Sequence, residues 1–134
     1  MERVIENIED MKHELSSSIR VWNHKKENAA DCFQRYVEET GYANAIAWYS
    51  KDVIQSEIVC EKLVEFQETI AGIGDNADAV LGHTEMFRNK FLEEVLGASF
   101  DHCEESHRLV ARQEYEAYKT LYEIFTGFTK ILSR

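Results

Sequence analysis

Glu104-Glu105-Ser106-His107 sets a carboxylate and an imidazole three residues apart. On a helix that spacing turns both side chains to one face, which is how di-iron bundles hold metal from within. Such a centre needs a second Glu-x-x-His and two further glutamates. The nearest match is Asp10-Met11-Lys12-His13, and Asp10 and His13 lie off the apolar stripe of their own segment. Folding the chain about residue 73 sets Glu38 and Glu39 opposite His107, so Glu104, His107 and Glu38 are the candidate metal ligands. The plainer reading is a histidine salt-bridged to acids, and no cofactor is expected.

The other reactive side chains lack partners in the right places. His102 adjoins Cys103, but neighbours on a helix point about 100° apart and do not share a face. The three cysteines, Cys32, Cys60 and Cys103, are odd in number, widely spaced and free of any CxxC pair. They read as buried thiols of a reducing, cytoplasmic compartment. The histidines lack HxxxH pairing, and no glycine-rich phosphate loop, zinc pattern or Ser-His-Asp logic occurs. A non-enzymatic protein is therefore expected.

The elements that would position these residues are helices. The chain has 134 residues, no proline and only six glycines. Nothing removes a backbone donor, so long uninterrupted helices are allowed, and a single all-α domain follows. Over 2–70, Ile5, Ile19 and Phe33 share one heptad position, and Ile8, Leu15, Trp22, Ala29 and Tyr36 share another. Alternating steps of three and four put them on one helical stripe. Lys12, Lys26 and Thr40 interrupt it. After Gly41 the apolar positions resume one step out of phase, at Ile46, Val53 and Cys60 with Tyr49, Leu63 and Ile70. A bend, a stutter or a helix break all produce such a slip.

The stretch 71–76, Ala-Gly-Ile-Gly-Asp-Asn, is the clearest turn, with glycines to end one helix and Asp75 or Asn76 to cap the next. A second arm over 76–132 opens with Val80, Phe87, Phe91 and Val95, and Gly97 is a second candidate bend. Beyond it Phe100, His107, Glu114, Leu121 and Phe128 share one position, and Cys103, Val110, Ala117, Ile124 and Ile131 the other. Two architectures fit. Helices running through Gly41 and Gly97 give a long antiparallel hairpin with arms of about 80–100 Å. Breaks at both glycines give a compact, coiled-coil-like four-helix bundle with arms of unequal length. The long form is the leading expectation, because a glycine inside a helix costs only about 1 kcal/mol.

A two-helix hairpin has little interior of its own, so a homodimer is expected. The residues expected to meet a partner are Phe100, Val110, Tyr118, Leu121, Phe125 and Phe128 on the second arm, with Ile19, Trp22 and Phe33 on the first. The formal charge of −10 opposes nucleic acid and a bare electrostatic grip on anionic membrane. No apolar run approaches the roughly 18 residues of a membrane span, and the N-terminus lacks the apolar core of a signal peptide. Trp22-Asn23-His24-Lys25-Lys26 and the C-terminal Lys130 and Arg134 are the main basic points, read as a solvated face or a local lipid or partner contact.

From Leu63 to Phe125 the chain resembles the first hairpin of BAR and arfaptin-homology domains. The segment LVEFQETI is followed by a loop and then by Arg112-Gln113-Glu114-Tyr115-Glu116-Ala117-Tyr118-Lys119, which is similar to the run on that family's second long helix. The resemblance implies a scaffold with peripheral membrane contact. The family has three long helices, a basic concave face and a proline after the turn, and this chain departs on all three. Function is thus expected to be that of a self-associating helical scaffold or adaptor with protein partners. A metal-binding, ferritin-like bundle and an assembly or secretion factor are the alternatives.

Overall fold

A computed structural model describes residues 2–98 and 105–134. Among them the order is α1 (Glu2–Thr40), α2 (Tyr42–Ala71), α3 (Ala77–Leu96) and α4 (Glu105–Leu132), with no strand. The all-α expectation holds. The long-hairpin expectation does not, because the expected first arm is two helices.

Gly41 makes the difference. It sits at φ 92°, ψ 169°, a conformation essentially reserved for glycine, and it is the entire link between α1 and α2. Its N–H donates to Val37 O at 2.9 Å, closing α1, and its carbonyl accepts from Ala45 N at 3.2 Å, opening α2. Tyr36 then meets Tyr49, Asn23 meets Cys60 and Lys12 meets Asp75. Positions rise along one helix as they fall along the other, so α1 and α2 run antiparallel. The one-residue slip in the apolar pattern is this break.

The second turn forms where the sequence places it. Gly74 takes φ 64°, and the Asn76 side chain accepts from Ala79 N at 3.2 Å, capping α3. Gly97 is not a bend within a helix. It caps the end of α3, donating to Glu93 O at 2.8 Å.

The four helices close around one phenylalanine cluster. Phe125 is fully buried and packs edge-on to Phe66 at 4.8 Å, Phe91 at 5.1 Å and Phe128 at 5.1 Å, and stacks on Phe87 at 5.8 Å. Ile8, Met11 and Leu15 of α1 and Val59, Leu63 and Ile70 of α2 complete this core. Polar ties fasten the same end. The Asn7 amide donates to Arg134 O at 3.0 Å, Arg134 pairs with Asp10 at 3.0 Å, and Lys12 pairs with Asp75 at 3.2 Å. Phe66 meets Phe125 and Phe128, and Gln55 meets Gln113, so α2 and α4 run parallel at the centre. Arg88 reaches Thr129 and Phe91 reaches Tyr118, so α3 runs antiparallel to α4. α1 is about 58 Å long and α3 only about 30 Å. The far part of the α1–α2 pair therefore extends past the end of α3.

Candidate interaction site

The residues expected to meet a partner divide sharply. Leu121, Phe125 and Phe128 are buried within the chain itself, so their partner is this chain's own core. Ile19, Trp22 and Tyr118 are half-buried and pack against that core, and Phe33 is half-buried on α1. Val110 is 40% exposed. Phe100 and Glu104 lie outside the described residues. His107 is exposed, and so is Glu38, which accepts from Gln34 on its own helix at 3.4 Å. Among the described residues no group of three His, Cys, Asp or Glu side chains could hold a metal ion.

The surface that remains apolar follows from the helical repeat. Trp48 lies eighteen residues before Phe66, and Val110 lies eighteen before Phe128. At about 3.6 residues per turn, eighteen residues are five full turns, so each outer residue shares a face with its phenylalanine. Phe66 and Phe128 stack across the parallel α2–α4 pair at 6.1 Å. Trp48 and Val110 therefore lie on the faces of those two phenylalanines, five turns further out. Between the two levels the half-buried Gln55 amide donates to the Oε1 of buried Gln113 at 2.7 Å, a polar rung. Outside it Trp48 is 70% exposed, and Leu109, beside Val110, is 41% exposed. At the end of α3, Leu96 is exposed as well.

Beside this open end lies a cleft between α1 and α2 of about 360 Å³. The small side chains Ala29 and Ser56, both buried, leave it unfilled, and Trp22 and Tyr49 wall it. The Lys25 ammonium sits 4.2 Å from the centre of the Trp22 ring, a cation–π contact. Cys32 is half-buried at the cleft, while Cys60 is buried with Sγ 3.9 Å from Asn23 Oδ1.

Two groups beside the closed core, Tyr118 and Lys62, have shifted pKa values. Burial pushes the Tyr118 phenol above its ordinary range, against the pull of Lys62. Burial would lower the Lys62 ammonium, but the hydrogen bond and charge of Glu65, 3.2 Å away, together with Tyr118 and Glu61, leave it raised. His83 Nδ1 is buried with no hydrogen-bond partner. None of these groups lies on the Trp48–Val110 face.

No protein-family model matches the chain, and comparison with curated proteins and with solved structures gives no match. Among the described residues no helix is long and apolar enough to cross a membrane.

Trp48 was not legible as a site residue. The sequence pattern after Gly41 follows Ile46, Val53 and Cys60, and Tyr49, Leu63 and Ile70. Trp48 belongs to the face that α2 turns to α4, with Gln55, Val59 and Phe66. Its eighteen-residue distance from Phe66 is the signal that would have found it.

Proposed function

We propose that this chain is a non-enzymatic helical adaptor that self-associates and presents helical surfaces to protein partners. The observation that carries the reading is the exposure of the apolar side chains Trp48, Leu109 and Val110, which lie past the sealed core on α2 and α4. Exposed apolar surface in line with a packed core marks an interaction site. The −10 charge favours protein over anionic membrane as the partner, so the scaffold is of the protein-binding kind among BAR-like modules.

Sedimentation velocity from about 1 to 200 μM, a range spanning weak interfaces, tests self-association. A rise from the 15.6 kDa monomer toward twice that mass is expected. A single monomeric species throughout would defeat the reading. Co-sedimentation with phosphatidylserine vesicles tests the partner class, and the protein is expected to stay in the supernatant.

A further inference from the structure

The chain carries −10 overall, and that charge works against any new face between two copies. One surface escapes the objection, because its complement is already present in every copy. It is the groove of α2 and α4 that holds α1. Ile8, Met11 and Leu15 of α1 are buried in that core. Lys12 pairs with Asp75, Asp10 pairs with Arg134, and the Asn7 amide donates to Arg134 O. Each of these contacts joins α1 to a different part of the chain. An α1 supplied by a second copy would meet the same atoms in the same way.

The covalent link between α1 and α2 is Gly41 alone, and the fold-back exists only while that residue holds φ 92°, ψ 169°. The helical pattern nearly runs through it. Its N–H already donates to Val37 O and its carbonyl already accepts from Ala45 N, both of them the four-residue bonds of an α-helix. The N–H groups of Tyr42, Ala43 and Asn44 open α2 as first-turn donors, which have no helical carbonyl of their own. Turning Gly41 to helical φ and ψ would give them the carbonyls of Glu38, Glu39 and Thr40. In the folded-back form Thr40 O accepts from the Asn44 side chain at 3.2 Å instead. Two dihedral angles of one residue thus separate the closed link from an open one.

We propose that two copies associate by exchanging α1. Gly41 swings to helical geometry, α1 leaves its own bundle and packs into the α2–α4 groove of the second copy, and the second copy returns its own α1. Exchange of an identical element is a symmetric route to a dimer, and a short hinge invites it. The proposal rests on the self-association reading and adds the surface and its occupant. The new meeting is at the two hinges, where Glu38 and Glu39 of both copies approach, so added salt should favour the dimer.

Gly41→Ala in the full chain tests the exchange, because alanine disfavours φ 92° and favours a helix. With two hinges per dimer, each worth about tenfold, the dissociation constant in sedimentation should fall about a hundredfold. Inserting Gly-Ser-Gly between Gly41 and Tyr42 relieves the tight turn and should return the protein to monomer. On dilution the unmodified dimer should persist for minutes or longer, on the order of the lifetime of a folded core, since Ile8, Met11 and Leu15 must leave one core before entering another. A dimer that dissociates within seconds of dilution and is indifferent to both hinge changes would overturn the exchange while leaving self-association intact. Monomer at every concentration, in the unmodified chain and in Gly41→Ala alike, would overturn both. Should Gly41→Ala fold poorly, the insertion and the dilution decide the question.

Discussion

The two ends of the molecule are built from the same helices but on different principles. At the closed end four helices contribute, and Phe66, Phe87, Phe91, Phe125 and Phe128 fill the space between them. At the open end α3 has stopped. Small or polar side chains, Ala29, Ala45, Ser56 and the Gln55–Gln113 pair, hold the helices together there. Large apolar residues occur at both ends, but among the described residues only the closed end has a layer that covers them. The number of layers, rather than the residue types, separates a surface that stabilises the fold from one left over for binding.

The largest effect should come from removing the centre of the closed end. Phe125→Ala deletes a ring that touches four other phenylalanines and is expected to cost about 3–5 kcal/mol in urea unfolding. Tyr49→Ala at the open end, where one edge contact with Tyr36 is lost, should cost distinctly less. Equal losses would erase the contrast.

Next is the link that creates the open end. At Gly41 an added Cβ would meet nothing within 4 Å, so Gly41→Ala probes backbone conformation alone. With φ at 92° the expected loss is about 1–3 kcal/mol, and no loss would mean that α1 and α2 join differently.

The polar rung comes third. Gln113→Leu removes the partner of the half-buried Gln55 amide and should cost about 0.5–1.5 kcal/mol, whereas Gln55→Leu with Gln113→Leu together should recover most of it. Thermal melts of the three variants settle whether the rung is a matched pair.

The smallest effect is one of pH. The folded Tyr118 phenol titrates above its unfolded value, so the unfolded chain releases that proton first. Stability is therefore unaffected below about pH 10 and declines as pH climbs beyond it. Lys62, also raised, acts in the same direction. Tyrosinate absorbance should show one late-titrating phenol in the folded protein, and Tyr118→Phe should remove it.

Much of the closed end is legible in the sequence. Ile8, Leu15, Leu63, Ile70, Val80, Phe87, Phe91, Leu121 and Phe128 all stand on the stripes that three- and four-residue steps define, and all are buried. The turn at 71–76 is legible for the same local reason, since glycine and asparagine there have few other uses. The open end is less so. A stripe shows which residues seek cover but not how far the covering helix reaches. Val110 and Phe128 read alike in sequence and differ in the structure because α3 stops at Leu96.

By itself the sequence determined that the chain is helical, that it turns at 71–76 and which residues line its main seams, because these follow from local geometry and helical periodicity. Only the tertiary structure decided whether Gly41 is helical. The penalty for a helical glycine is about 1 kcal/mol, small enough to be outweighed by the packing that α1 gains by folding back on α2. The same fold-back spends Leu121, Phe125 and Phe128 on the chain's own core and leaves Trp48 outside, since burial depends on which helices lie alongside and not on the residue.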